Sequence, residues 1–458
     1  MREVIFEATA LGVMAALRAE GRLVAVEEAR ARGGEVTDRL FVARVVAVEP
    51  QLDAAFLDYG GREPGYLTAR DGRALAGGVK RPIAKLVQQG QKLLVQGLRE
   101  ADQDKGPRFT ADIRLFGLYL VFRPHQQGVE AARTARRRER EELLARAQTL
   151  FGSRPFVLRR FAARAPDAAL LGEAQRLEQR WRDIQAAFAR ASRPGPVDVD
   201  DSPLDRMFRW AMEQQPDRLE AADPGLLAGL RRRLGEVAEE LRPQLERLAH
   251  GRAFVAAGVD REIEEALAPV VPLDGGGRLV VQETLACTAI DVDGEGREAL
   301  ALNLEAAAEV GRQLRLRNIG GHIVVDFVTL KRAGERRRLE QALARAVRDD
   351  PQMVQIHPVA GLGLVPLTRA RRGRSLRERF RRPCGVCRGE GSEPSLEARL
   401  DELYWTLREL QTPPDRIRTA PDLYRFLTET GPHPWLSQPA LVQDSGLPAG
   451  TFRIETAR

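Results

Sequence analysis

The sequence predicts a multidomain α/β protein with a small all-β barrel set into its N-terminal half. Three observations carry that expectation. A chain of 458 residues is long enough for about two to four domains. A strand–helix–strand crossover is legible between residues 278 and 330, and a series of short strands without helices is legible between 37 and 113.

Residues 1–33 hold short strand patterns at 3–7 and 22–28, too little to fold alone, so they should pack onto something later in the chain. From Thr37 the strands 40–48, 54–59, 65–68, 92–98 and 109–113, with turns between them, suggest the barrel. Residues 119–122 form a further strand pattern. The Arg- and Glu-dense run after Glu130 reads as a helix with a solvated face laced by i,i+4 pairs. Residues 192–201, rich in Pro, Gly and acid, read as a linker. The stretch 203–270 reads as mainly helical, with apolar spacing over 226–248 and 263–267.

The crossover follows. Runs 279–292 and 322–328 are rich in Val, Ile and Thr and bounded by Gly and Asp, as strands are. Between them Leu304, Ala307, Ala308, Gly311 and Leu314 fall at helical spacing over 303–317, and Gly320-Gly321 closes the helix. Such a unit places its two strands parallel in one sheet with a right-handed connection. Residues 335–348 are an amphipathic helix with Leu339, Leu343, Ala346 and Val347 inward, and 353–356 and 363–367 are further strands. A helix over 396–410 opens a small C-terminal domain.

Hydrophobic content of 43% and charged content of 30% describe a globular protein with a real core. A net charge of +7 points to a polyanionic partner, although only five of 72 basic residues are Lys, so base composition of the genome contributes to the Arg excess. Three cysteines do not make a disulfide scaffold and suit a reducing compartment. The N-terminus lacks the apolar core of a signal peptide, and no run of about eighteen apolar residues could cross a membrane. These features lead to the expectation of a cytoplasmic protein.

Acid interrupts both strands of the crossover. Asp291 and Asp293, two apart, share one face of a strand, and Asp326 breaks His-Ile-Val-Val-Asp-Phe-Val. A buried carboxylate there should neutralise, pair or hold a metal, and ligands gather at the carboxyl ends of such strands. A hard cation such as Mg²⁺ suits oxygen ligands. The alternative is that Asp293-Gly294 is simply a turn. Downstream, eight Arg lie between 369 and 382, either as a solvated loop or as a seat for RNA phosphate, which so many like charges favour. Cys384 and Cys387 form a lone CxxC, and two thiolates cannot complete a tetrahedral Zn²⁺ site. A redox CxxC is the rival, without a thioredoxin-like setting around it. Cys287, within the run 279–292, reads as a buried thiol.

Several blocks, in order, resemble the catalytic domain of the ribonuclease E/G family: Thr288-Ala289-Ile290-Asp291-Val292-Asp293, Asn303-Leu304-Glu305-Ala306-Ala307, Arg312-Gln313-Leu314-Arg315-Leu316-Arg317, and Asn318-Ile319-Gly320-Gly321 leading to Val325-Asp326-Phe327. The resemblance implies a Mg²⁺-dependent endoribonuclease that cuts single-stranded RNA to 5′-phosphate and 3′-hydroxyl ends in RNA processing or decay. In that reading Asp291 and Asp326 hold Mg²⁺ and Asp293, standing where the family has Asn, completes the catalytic set.

The implied architecture is a DNase I-like catalytic domain (271–382), an RNase H-like domain (1–33 plus 203–270) and an inserted OB-fold RNA-binding barrel (34–118). It continues with a 5′-end sensor-like region (119–202), a zinc link (383–391) and a small C-terminal domain (392–458), without a C-terminal scaffold tail. Phe56, Tyr66 and Lys105 match the barrel's RNA-binding positions, and an aromatic on an alternating strand is otherwise usually core. Arg159 matches a 5′-phosphate contact, with Arg160 in place of the usual Thr. Arg369, Arg371 and Arg372 fall in the family's arginine-rich loop. Cys384 and Cys387 imply one Zn²⁺ shared between two chains, hence a homodimer or higher homo-oligomer. The competing functional readings are an RNA-binding relative with weak or lost cleavage and a ribosome-associated factor.

Overall fold

The structure, a computed structural model, describes residues 1–31, 36–101, 106–131, 137–197, 202–249, 251–284, 286–294, 296–358, 364–371, 373–382, 384, 394–410, 412, 414–430 and 440–455, without the side chains of 137, 139 and 160. Two compact units result, 1–380 and 381–458.

The chain begins as an antiparallel meander, Arg2–Thr9, Gly12–Ala19 and Arg22–Arg30, turning tightly at Glu20-Gly21, where both φ are positive. Alternation buries both faces: Val4, Phe6, Ala15 and Leu17 enter one cluster, and Ile5, Ala16, Leu23 and Val26 another. The far edge of the first strand is extended by Arg218–Ala221 and then Gln244–Arg247, both parallel to it, with Val4 opposite Leu219 and Leu219 opposite Leu245. The stretch 203–270 is mainly helical as expected, with Ala253–Ala256 and Val259–Leu267 among its helices, but strands interrupt it. Helices Pro203–Glu213 and Pro224–Gly235 form, but the segment 226–248 is not one helix, because Pro243 cannot donate to a helical ladder and the chain turns into a strand.

Five strands, Leu40–Glu49, Ala54–Asp58, Gly65–Thr68, Arg108–Thr110 and Lys92–Arg99, pair in that spatial order, and the last returns to the first, closing an OB-like barrel. Phe41, Ala43, Val45, Leu57, Leu67, Val95 and Phe109 fill it. Gly65 is required at its position: a Cβ there would lie 2.2 Å from the Phe109 ring. Within the expected linker 192–201, Gly195–Pro196 adds an edge strand opposite Val42 and Phe41.

Residues 115–197 form a short sheet flanked by helices Arg137–Phe151 and Asp167–Arg190. Their Leu120, Phe156 and Leu170 join Phe6, Leu17 and Phe208 in one continuous core, so this region and the N-terminal sheet share an interior. At its centre the buried Glu173 carboxylate accepts three backbone N–H bonds, from Leu118, Tyr119 and Leu120, at 2.6–2.8 Å.

A six-stranded mixed sheet follows, in the order Val270–Pro272, Arg278–Glu283, Thr288–Asp293, Gly321–Asp326, Leu364–Arg369 and Val354–Ile356. The single strand expected over 279–292 is an antiparallel hairpin. Thr284 turns it, its backbone N–H and its hydroxyl both donating to the Cys287 carbonyl. Cys287 therefore sits in the turn, half-buried, rather than inside a strand. The crossover is as predicted: helix Ala299–Leu316 joins two parallel strands. With helix Ala333–Ala346 it covers one face of the sheet, burying Ile290, Val292, Ile323 and Val325 beneath Leu302, Val310, Leu314, Leu339 and Leu343. The two helices approach at Gly311, where a Cβ would lie 2.8 Å from Ala346. The crossover helix is also tied to the N-terminal meander: Arg312 Nη1 donates to the Leu23 carbonyl at 2.7 Å, and Arg22 pairs with Glu309 at 3.0 Å.

The unit 381–458 is a three-stranded sheet, Ala440–Gln443, Arg416–Thr419 and Phe452–Glu455, with helices Leu396–Glu409 and Pro421–Glu429 around Leu403, Ile417, Leu423 and Leu427. Among the described residues no helix is long and apolar enough to cross a membrane.

Candidate functional site

The open face of the six-stranded sheet carries the acids. In Thr288–Asp293, Thr288, Ile290 and Val292 point into the core, so Ala289, Asp291 and Asp293 point the other way. In Gly321–Asp326, Ile323 and Val325 are buried while Asp326 is exposed. The two strands are parallel, with Asp291 directly opposite Asp326. Neighbouring strands lie about 4.8 Å apart, which sets the two carboxylates side by side over the sheet. The premise that Asp326 is buried is corrected: both acids face outward, and a cation between them would retain water.

The third acid differs. Asp293 Oδ2 accepts from Arg278 Nη2 at 2.7 Å, across the hairpin from it. Arg278 carries no signal in the sequence, because the hairpin register that sets the two residues opposite each other was hidden in one apolar run. Asn303 carries no signal in the sequence beyond its place in a motif. It is fully buried, donating through Nδ2 to the Val328 carbonyl at 2.7 Å and accepting from the Val328 N–H at 3.1 Å. That pair of bonds pins the helix to the chain as it leaves Asp326.

These residues fit a magnesium ion. Mg²⁺ prefers one or two carboxylates together with waters and substrate phosphates. The donor set here is two exposed carboxylates in register, and among the described residues no group of three or more His, Cys, Asp or Glu gathers anywhere. A structural zinc site with four protein ligands would not fit this face.

Where the crossover helix meets the N-terminal meander lies a polar network. Burial would raise the Glu309 carboxyl, but hydrogen bonds and charge from Arg312, with help from Gln313 and Arg22, hold it below the usual carboxylate range. Arg317 ends the crossover helix, donating from Nε to Gln313 at 2.6 Å and from Nη2 to the Ala268 carbonyl at 2.8 Å. Burial lowers its guanidinium to about 10 despite Glu283 nearby.

The expected RNA contacts fall in several places. Phe56 and Tyr66 are directly opposite each other on adjacent barrel strands, half-buried and outside the barrel core, so the alternative of a core Phe56 is set aside. Arg108 is in register with Tyr66 and pairs with Asp71 at 2.7 Å. Lys105 and Arg372 lie outside the described residues. Arg159 donates to the Gly117 carbonyl at 2.7 Å and pairs with Glu213, at the edge of a cleft of about 620 Å³ also lined by Trp210 and Arg374. Arg371 reaches Glu378 at 3.2 Å.

Arg369 is a correction. It is 3% exposed, gives two bonds to the Asp350 carboxylate at 2.9 and 3.0 Å, and donates to Asn318 Oδ1 and the Ile319 carbonyl. Its alternation along the strand turns it inward, and four of its bonds are internal, so it braces the sheet rather than meeting RNA. Cys384 is exposed, and Cys387 lies outside the described residues.

The model of the ribonuclease E/G family matches residues 114–372, which hold the crossover and both paired carboxylates. The chain belongs to the ribonuclease E/G family. It is 31% identical over 382 residues to ribonuclease E of Synechocystis sp., covering 78% of this chain and 56% of that one. It is 29% identical over 426 residues to ribonuclease G of Escherichia coli K12, covering 88% and 85%. With ribonuclease E of Escherichia coli K12 it shares 30% over 379 residues, 77% of this chain and 35% of the other. The chain thus spans about half of the first of these relatives and most of the ribonuclease G type.

Proposed function

We propose that this chain is an endoribonuclease acting in RNA processing or decay, and that it cuts single-stranded RNA with the help of Mg²⁺ to leave 5′-phosphate and 3′-hydroxyl ends. The observation that carries this reading is the in-register pair Asp291 and Asp326 on the open face of a sheet whose other face is packed. Asp291 and Asp326 would hold the ion between them. A bound Mg²⁺ would supply an activated water and charge neutralisation at the phosphorus. The protein's own part is positional. The crossover helix, fixed through Asn303 and tied to the meander through Arg312, holds the two strands at the register that aligns the acids. Barrel residues Phe56 and Tyr66 offer paired aromatic faces on which bases of the substrate stack, beside Arg108, and Lys105 is assigned to the same RNA. Arg371 and Arg372 are assigned to backbone phosphates, and Arg159 to the 5′-phosphate of the RNA.

The domain reading follows. The meander with its two added parallel strands, order 22–30, 12–19, 2–9, 218–221, 244–247, supports an RNase H-like domain, and the six-stranded sheet supports a DNase I-like one. Cys384 and Cys387 are assigned to a Zn²⁺ shared by two chains, making a homodimer or higher homo-oligomer, and the protein is assigned to the cytoplasm. Metal analysis with light scattering tests the shared zinc: one Zn²⁺ per two chains is expected, with a shift toward monomer on Cys384→Ser.

The deciding experiment is incubation of single-stranded RNA with the wild type, Asp291→Asn and Asp326→Asn, with Mg²⁺ and with chelator. Cleavage by the wild type alone, abolished by chelator, is expected, with RNA binding retained by both variants because phosphate contacts elsewhere carry affinity. Cutting by either variant at the wild-type rate would remove the assignment. One observation favours a second reading, an RNA-binding relative with weak cleavage: the third acid is already paired with Arg278. In that case the wild type binds RNA and cuts it barely above background.

A further inference from the structure

The open face around the two acids continues, in register, into a second feature. Two residues before Asp291 and Asp326 along their strands stand Ala289 and Val324, opposite each other, and Val324 is opposite Pro366 in the next strand. Four residues before Asp326 stands His322, exposed and opposite Thr368, which is in turn opposite Gln355 on the edge strand. The Thr368 hydroxyl donates to Gln355 Oε1 at 3.4 Å. His357, exposed and two residues beyond Gln355, donates its backbone N–H to the Pro366 carbonyl at 2.9 Å. The face is therefore banded: an acid row, a flat apolar row of Ala289, Val324 and Pro366 that ends at His357 on the sheet edge, and a polar margin of His322 and Gln355. His322 and Val324 alternate with core residues Ile323 and Val325, Pro366 and Thr368 with Val365 and Leu367, Ala289 with Ile290, and Gln355 with Val354 and Ile356, which pack against the core, so their direction is fixed by packing.

The bands have a scale. Four residues of strand rise about 13 Å, so His322 lies too far from the acids to touch the linkage they would hold. It is within reach of what is attached to that linkage. A half-exposed apolar floor three strands wide, edged by groups that donate and accept, suits a planar base with a polar rim: the floor takes the face, and the imidazoles and the Gln amide meet the edge. A duplex would not offer such a face, because its bases are stacked and paired. The sheet also gives the strand a direction, since the acids lie at one end of this stripe only.

We propose that this stripe is a seat for a base flanking the cleavage site, and that His322, Gln355 and His357 bias which base is accepted there. The proposal rests on the nuclease reading of Asp291 and Asp326 and adds to it a specificity-determining surface. Imidazole and amide groups both donate and accept, so the seat discriminates among bases by their edge pattern rather than by charge.

The test separates the two layers. First, binding is measured with Asp326→Asn, which is expected to hold RNA without cutting it, using short single-stranded oligonucleotides of one length that differ only in composition. Adding His322→Ala with Gln355→Ala should weaken binding by about tenfold for the preferred base and much less for the others, in line with the loss of one base contact. Second, cleavage sites on a mixed-sequence RNA are mapped for the wild type and for His322→Ala with Gln355→Ala. Loss of preference at a single position beside the cut, with melting temperature unchanged, is the expected result. Equal weakening for every composition together with an unaltered cleavage map overturns the seat. If the wild type does not cut at all, the nuclease reading fails, and the binding series then decides whether the stripe still distinguishes bases. A uniform affinity there rejects it as well.

Discussion

Asp293 and Arg278 face each other across the hairpin as an ion pair, 2.7 Å between Oδ2 and Nη2, at the rim of the open sheet face. Both are about half exposed, so the pair itself contributes little to stability, on the order of 0–1 kcal/mol. Its consequence is chemical. An ionised Asp there can only accept, whereas Asn can also donate. Asp293→Asn should leave the melting temperature within about 2 °C, in keeping with so weak a pair in so large a unit. It should also raise turnover on single-stranded RNA. A fall in turnover with a higher Mg²⁺ requirement would instead make Asp293 a third metal ligand, and a Mg²⁺ titration reads the difference.

Phe56→Ala combined with Tyr66→Ala should weaken single-stranded RNA binding by roughly 1–3 kcal/mol per stacked base. The same variant should melt close to the wild type, because neither ring enters the barrel interior. Phe109→Ala is the contrast: that ring is fully buried in the barrel, and its loss should cost about 3–5 kcal/mol of stability. Fluorescence anisotropy with thermal melts tells the two outcomes apart.

Arg369→Ala should act on folding and not only on RNA affinity. Removing one member of a buried, bidentate pair strands the Asp350 carboxylate, at a cost of about 3–5 kcal/mol. Denaturant unfolding should show the loss. A variant as stable as the wild type but deficient in RNA binding would return Arg369 to the interface.

Glu309 gives a pH dependence. Its folded-state carboxyl is held below its ordinary value, so it contributes stability above the unfolded value near 4.5 and loses it as pH falls through the folded value. Glu309→Gln should thus be less stable than the wild type at pH 7, and the gap between them should close as the solution is acidified below about 4.5. A gap constant with pH would mean that packing, not charge, accounts for the difference.

The crossover, the barrel and the positions of the acids were legible because each has a local signature: helical spacing over residues 303–317, short alternating strands from residue 40, and carboxylates in apolar runs. What was hidden depends on partners far away in sequence. The strands Arg218–Ala221 and Gln244–Arg247 are four residues each and acquire meaning only beside Val4 and Leu219. The hairpin at Thr284 has no Gly or Pro to mark it, and one apolar run conceals two strands. Arg369 looked like one more cation in an arginine-rich loop, and only its inward alternation and Asp350 distinguish it. Asp326 misled for the opposite reason: apolar neighbours suggested burial, but a sheet packed on one face leaves every second residue outside.

The sheet that opens the chain has a consequence for how the protein is made. Its first strand pairs with residues more than two hundred positions later, Val4 with Leu219, and the barrel is synthesised in between. During synthesis the barrel can close while the meander still presents a bare edge of unpaired N–H and C=O groups, since Arg218–Ala221 has not yet emerged. Such an edge is an invitation to pair with other chains, and long-range strand closure is slow. A ribosome stalled after the barrel has emerged but before Arg218–Ala221 has would therefore display an aggregation-prone nascent chain with an already folded barrel, and emergence of Arg218–Ala221 and Gln244–Arg247 would cover that edge.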